Sequence, residues 1–341
     1  MNATTFGLDI AKNVFFVHGT AQSGKVVVSR SRRRAQVLSF FSNAPAALIG
    51  IEACAGSHYW ARELIRLGHT VKLLPAQYVR RYVQGNKTDA HDAAAIAEAV
   101  RSPRIQAVAI NTPEQQDMQM LHRIRRRLVE QRCGLMAQIR GLLGEYGIVF
   151  PQGPGKLRRG LAEMDQSAPP TLSVGARELF LDLQTQWQEL DKRIAGYDKR
   201  VAQACRTNAL AQRIDALPGI GVVTATALVA AVGNAVQFPS GRHLASNLGL
   251  TPREHSSGGK QTLLGIHKGG NAYVRMLLIH GARTVLRHGA NKTDPLTRWA
   301  LGLQARKGMN VATVALANKL ARICWAVLAR DRTYQSHWQN A

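Results

Sequence analysis

Between Thr4 and Arg30 the chain carries three short β-branched runs, FGLDI, VFFVHG and KVVVS, separated only by AKN and TAQSG. Connections this short predict a three-stranded meander. Arg34–Ser42 then has helical character, Ala47–Ala53 (ALIGIEA) is an apolar strand and His58–Leu67 is helical. TVKLL, Thr70–Leu74, is a strand closed by Pro75, and DAHDAAAIAEAV follows as an alanine-rich helix. The first hundred residues therefore read β-β-β-α-β-α-β-α.

That order is the RNase H topology, an α/β fold expected over residues 1–110. In such a fold the first and fourth strands are neighbours. Asp9 is read in the middle of the first strand, flanked by Leu8 and Ile10, and Glu52 ends the apolar run IGIEACAG. An unpaired carboxylate on a strand built for burial is costly, and a cation is a physical reason for it. Metal-dependent phosphodiester cleavage asks for such convergence, with two divalent ions about 4 Å apart held by a few carboxylates. Asp89 and Asp92, in KTDAHDA, are three apart at a helix start and share one face. Asp89 alone has a second reading as a helix N-cap, worth about 1 kcal/mol. His91 is expected to face away from the pair.

A long helical pattern from Pro113 to Gly147 and another from Arg177 to Cys205 define a connector at residues 111–207. In the second, Leu183, Trp187, Leu190, Ile194, Tyr197 and Val201 alternate gaps of four and three, the spacing of a coiled-coil seam. Ordinary helix-on-helix packing produces the same pattern. With PQGPGKLRRG between them, the two helices fit either a hairpin or a dimerising arm. Residues 208–331 read as a mainly α-helical second domain, and 332–341 as a short disordered tail. In that domain LPGIGVVTATAL (Leu217–Leu228) reads as helix, glycine hairpin and helix, where the amides around Gly219 and Gly221 would hold a phosphate, or as a tight turn between packed helices. The run TPREHSSGGK puts two hydroxyls, Ser256 and Ser257, in a glycine-rich loop near Arg253, Lys260, Lys268 and Arg275, a setting suited to approaching a phosphate.

Forty-five Lys and Arg against 21 Asp and Glu give a formal charge of +24, which points to a polyanionic partner and first to nucleic acid. The amino terminus has no signal pattern and no stretch reaches the roughly 18 uninterrupted apolar residues of a membrane span, so a cytoplasmic, nucleoid-associated protein without a membrane partner is expected. Cys54, Cys133, Cys205 and Cys324 lack CxxC spacing and are expected as free thiols.

GLDIAK, GIEACAG and NKTDAHDAAAIAEA resemble the DEDD motif of the RuvC-like domain of insertion-sequence transposases, the bridge-RNA-guided recombinases. LGLTPREHSSGGKQTLLGIHKGGNAYVRMLL resembles the carboxyl-terminal transposase domain of the same family. The resemblance runs from Gly7 to about Leu328 and implies that Asp9, Glu52, Asp89 and Asp92 are catalytic ligands of magnesium, in a two-metal site or a simpler one. It also implies that Ser257, the serine before the glycine, attacks the scissile phosphate and becomes covalently linked to DNA. A structured guide RNA, donor and target DNA, and assembly as a dimer or tetramer joined through the helical arm are implied as well. Two other functions use parts of the same sequence: a RuvC-type junction nuclease working by water attack, which needs the acids and no serine, and a non-enzymatic nucleic-acid-binding scaffold.

Overall fold

The computed structural model describes residues 3–166 and 171–335. Residues 336–341, the greater part of the expected tail, lie outside the described residues. The chain forms two compact units, Met1–Pro113 and Glu114–Ala341.

In the first unit, strands β1 (Thr5–Asp9), β2 (Val14–Thr20) and β3 (Val26–Arg33) form the antiparallel meander expected from their short connections. Helix α1 (Val37–Ser42), preceded by a short 3-10 turn, leads to β4 (Leu48–Glu52), α2 (Ser57–Arg66) and β5 (Thr70–Leu74). After the one-turn α3 (Ala76–Val79) comes α4 (Asp89–Ala99). The sheet order is β3-β2-β1-β4-β5, with β4 parallel to both β1 and β5, so the first and fourth strands are neighbours. This is a mixed α/β sheet consistent with an RNase H-like domain. Side chains of alternate residues point to opposite faces. Phe6, Leu8, Phe15, Val17, Ile49 and Ile51 go to one face, where Phe41, Trp60 and Leu64 of α1 and α2 cover them. The other face takes α4.

What seats α4 is a pair of strand glycines. A Cβ on Gly7 would overlap the carbonyl oxygen of Ala93 and come 2.5 Å from the Ala97 nitrogen, and one on Gly50 would come 2.8 Å from Val100 Cβ and 3.0 Å from Ile96 Cγ2. Glycine inside a strand commonly marks such a close backbone approach. The far end of α4 is held by Arg101, whose guanidinium donates to Thr5 Oγ1, Thr20 Oγ1 and the carbonyl of Ala21.

The second unit opens with α5 (Pro113–Gly144), α6 (Pro154–Gln166) and α7 (Val174–Thr207). The contacts Tyr146 with Phe180, Arg132 with Asp191 and Arg125 with Asp198 run in opposite directions along the chain, so α5 and α7 form an antiparallel hairpin. The Leu183–Val201 register packs inside it: Trp187, Leu190 and Ile194 are buried with Leu128, Leu135 and Ile139 of α5 and Leu157 and Leu161 of α6. The seam's partner is thus the same chain.

A second core gathers α8 (Ala209–Asp215), α9 (Val222–Val232), α10 (Gly241–Asn247), α11 (Ala272–His288), α12 (Pro295–Lys307) and α13 (Met309–Ala329). Among the described residues α13 is the one helix long and apolar enough to cross a membrane, yet Leu316, Ala317, Leu320, Ala321 and Cys324 are fully buried in this core and Lys319 and Arg322 interrupt its length. Between α10 and α11 lies a small antiparallel ribbon, β6 (Pro252–Glu254) and β7 (Leu263–Ile266), where the sequence predicts a flexible loop.

Candidate functional site

Asp9 is the last residue of β1, not its middle, and Glu52 is the last of β4. Leu8 pairs with Ile51, so the two acids leave adjacent parallel strands side by side. Each lies two residues beyond a strand glycine and therefore on the face that receives α4. Helix rows spaced by four complete the arrangement: Ala97, Ala93 and Asp89 run back over β1, and Val100, Ile96 and Asp92 over β4. The amino-terminal turn of α4 is thereby delivered to the carboxyl ends of the two strands.

The electrostatics report the same convergence. Partial burial first, then Asp89, Asp92 and Glu52, push the Asp9 carboxyl up to about 6, against an opposing pull from Lys87. Glu52 is raised by burial and by Asp92, again opposed by Lys87. Asp89 does not cap its helix. Thr88 does, its Oγ1 accepting from the His91 amide, which leaves the Asp89 carboxylate uncommitted. His91 is turned to the preceding loop, where Nδ1 meets the Asn86 carbonyl oxygen at 2.7 Å.

Among the described residues, no three Asp, Glu, His or Cys side chains close to ligand distance around one point. The donors are all hard oxygens, the type that suits a divalent cation such as magnesium. By the chemistry of their donor atoms the four acids suit such an ion.

In the second unit the serine run forms a tight β-hairpin. Ser257 and Lys260 bridge, the Lys260 amide donating to the Ser257 carbonyl at 3.0 Å across Gly258 and Gly259. Both glycines have positive φ, 56° and 77°, as a two-residue turn of the hairpin type requires. The two serines separate here. Ser256 Oγ donates to Glu254 Oε1 at 2.7 Å and accepts from the Thr262 amide at 3.2 Å, so it braces the ribbon. Ser257 is exposed at the turn and its hydroxyl makes no hydrogen bond among the described residues.

Arg253, Lys260 and Lys268 are exposed. Arg275 is half-buried, its Nη1 donating to the carbonyls of Leu248 and Gly269, so it holds backbone in place. In the turn between α8 and α9, Leu217 and Ile220 are buried, and a Cβ on Gly219 would lie 2.9 Å from the Gly281 carbonyl oxygen of α11. Gly219 is therefore a packing residue, while Gly221, the N-cap of α9, has open space beside it. Sequence reasoning missed three contributors: Lys87, whose charge opposes the upward shift of Asp9 and Glu52, and Gly7 and Gly50, whose signal was a glycine two residues before each strand acid.

An aspartate and a glutamate at the ends of neighbouring strands, with two aspartates on the helix laid over them, define the class of DEDD transposase domains. The transposase description for the IS110 DEDD type matches residues 6–148, and "Transposase IS116/IS110/IS902 family" matches residues 211–298. The chain is 46% identical over 336 residues to a probable family 20 transposase of Pseudomonas aeruginosa, covering 98% of this chain and 99% of that protein. It is 42% identical to the transposase for insertion sequence element IS1111A of Coxiella burnetii, over 96% of this chain and 90% of the relative. To the transposase for IS1328 of Yersinia enterocolitica it is 35% identical, over 98% and 99%. The chain belongs to the IS116/IS110/IS902 transposase family.

Proposed function

We propose that this chain cuts and rejoins the DNA strands of an insertion sequence through a serine–DNA intermediate, with the four-carboxylate site acting in the same reaction. The observation that carries the reading is the meeting of Asp9, Glu52, Asp89 and Asp92 at one sheet end, where burial first and then the three neighbouring acids raise Asp9 to about 6. A carboxylate whose charged form is disfavoured by burial and by neighbouring acids marks a functional site, and its charged form would be favoured by a bound cation. A divalent cation, magnesium or a metal pair, would supply charge stabilisation at the scissile phosphate.

In the proposed exchange Ser257 Oγ bonds to phosphorus as the bond to one strand's bridging oxygen breaks. That oxygen leaves as a hydroxyl after taking up a proton, and the serine proton passes to a base or solvent. Attack by the hydroxyl of a second strand reverses the step, frees Ser257 and keeps the number of phosphodiester bonds constant. The exposed turn position and unengaged hydroxyl of Ser257 support this role over Ser256. Arg253, Lys260 and Lys268 would meet the DNA backbone, with Arg275 holding the segment they flank, and the amides at Gly219 and Gly221 would offer a phosphate contact of helix-hairpin-helix type. The +24 charge supports a second polyanion, a guide RNA whose pairing selects donor and target DNA. A dimer or tetramer would bring serine and carboxylate sites together.

The water-attack nuclease is favoured by one specific fact: Ser257 Oγ has no basic side chain hydrogen-bonded to it among the described residues. A strand-exchange assay with Asp9→Asn and Ser257→Ala proteins decides. Loss of exchange in both is expected. Cleavage that requires Asp9 and proceeds fully without Ser257 would establish the nuclease instead.

A further inference from the structure

Behind the serine ribbon, a cavity of about 1060 Å³ lies between β6–β7 and helices α12 and α13. Arg253 and Lys268 stand at its ribbon side, and Trp299, Lys319 and Arg322 on its helix side. Lys319 and Arg322 also line a second cavity of about 770 Å³, which continues to Arg242 and Arg330. Among the described residues no carboxylate lines either cavity, and none of the four cations beside the first, two of them shared by both, has an ion-pair partner. Trp299 is 37% exposed, and its ring has the Lys319 ammonium 4.1 Å from its centroid.

Uncompensated cations inside a concavity ask for an anion, because like charges facing one another there are otherwise destabilising. Burial and Arg322 already hold Lys319 below the ordinary lysine range. The exposed indole adds a flat apolar surface of the kind on which bases stack. Cations with an aromatic platform and no acid select a ligand with both phosphate and base available. A duplex keeps its bases stacked inside, and a cavity near the upper end of the small-ligand range, roughly 300–1,000 Å³, does not admit one.

We propose that this groove binds a single-stranded segment of nucleic acid, with a base on Trp299 and phosphates at Lys319 and Arg322. This rests on the reading that the chain handles nucleic acid, and deepens it by fixing the strand state beside the serine hairpin. Trp299, Lys319 and Arg322 are outside both proposed catalytic groups.

The test is binding of full-length Asp9→Asn protein, which keeps cleavage from complicating the reading, to labelled 12-nucleotide single-stranded DNA, single-stranded RNA and the matching DNA duplex. Stacking energies per base predict that Trp299→Ala weakens single-strand binding by at least about fivefold and leaves duplex binding unchanged. Trp299→Phe should retain most of the affinity, which separates stacking from misfolding. Arg322→Gln should lower the salt slope for the single strands by about one. A loss confined to RNA or to DNA identifies the source of the strand. Equal loss on duplex and single strand, or no loss in either variant while the protein still binds nucleic acid, overturns the groove alone. Failure to bind any of the three nucleic acids overturns the functional reading together with it.

Discussion

Gly7 of β1 lies so close to Ala97 of α4 that a Cβ on the glycine would come 2.5 Å from the helix nitrogen. The site depends on this contact, because the same helix carries Asp89 and Asp92 two and one turns back toward its start. Gly7→Ala should push α4 off the sheet, costing about 1–3 kcal/mol as an overpacking change, and should abolish strand exchange. Gly196→Ala, on a helix surface with nothing within 4 Å, is the control and should stabilise by about 0.5–1 kcal/mol. Urea unfolding of both variants checks the pair, and a Gly7→Ala protein of full stability and activity would remove the steric account of the site.

The carboxylate end of the sheet makes stability depend on pH in an unusual direction. Asp9 is raised from 3.8 to about 6, so between those values the native state binds the proton more tightly than the unfolded chain. Stability contributed through Asp9 is therefore present in acid and lost as pH rises through about 6. Without divalent cation, Asp9→Asn should raise the melting temperature at pH 7.5 and flatten this dependence. Adding magnesium should reverse the ranking, since the ion favours the ionised wild type. A lower melting temperature for Asp9→Asn in chelator would assign the carboxylate a structural role.

His122 supplies the opposite slope in the other unit. It is buried, with Nδ1 3.2 Å from Tyr273 Oη and Nε2 3.0 Å from Thr226 Oγ1, and burial followed by Arg125 pushes it down to about 4. Here the unfolded chain binds the proton more tightly between about 4 and 6.5. Stability is retained above that window and lost as pH falls through it. His122→Gln should remove this acid-side loss while lowering stability at neutral pH through the two altered hydrogen bonds. Calorimetry from pH 4.5 to 8 on both single variants separates the two slopes, and an unchanged acid side in His122→Gln would discard the assignment.

The α5–α7 seam gives a prediction about packing. Ile194 is 5% exposed and lies in the intrachain core with Leu128 and Leu135, so Ile194→Ala should cost about 2–5 kcal/mol. Asp191, which receives both Arg132 and Arg158, should cost less on change to Asn because all three groups are partly exposed. Chemical denaturation compares them. If Ile194→Ala instead lowers the mass in light scattering with stability intact, the register serves a contact between copies.

Most of the first unit was legible because its signals are local. Turn-separated β-branched runs specify the meander, and Pro75 ends β5 where expected. The position of Asp9 at the strand end was not, because Ile10 continues the apolar pattern past the last ladder pair, Asp9 with Phe16. Nor was the closeness of α4, which depends on backbone contact over Gly7 and Gly50 and leaves no periodicity in the helix. The 3.5-residue pattern in α7 was visible, but an intrachain partner and a second copy write the same pattern. The ribbon β6–β7 was hidden by its brevity and by a Gly-Gly turn that reads equally as flexible loop.

That ribbon makes the serine assignment testable to one residue. Ser256 bonds to Glu254 and to the Thr262 amide across the ribbon, whereas Ser257 occupies the first position of the turn with its hydroxyl unengaged. Removing the Ser257 oxygen takes nothing from the fold, so Ser257→Ala should change stability by less than about 0.5 kcal/mol. Ser256→Ala leaves the Thr262 amide without its partner and removes one of the two donors to Glu254 Oε1, and should cost about 1 kcal/mol. Activity should rank the other way. In the proposed exchange the cut phosphate is held on Ser257 until it is rejoined, so Ser257→Ala should reduce exchange to background, while Ser256→Ala should retain a measurable fraction. A suicide DNA substrate that cannot be rejoined should leave a nucleotide on the wild-type chain, and mass spectrometry should place it on Ser257. An adduct on Ser256 would make the bracing hydroxyl the nucleophile and require the ribbon to open during the reaction. Strand cutting without any adduct, still dependent on Asp9 and magnesium, would transfer the attack from serine to water.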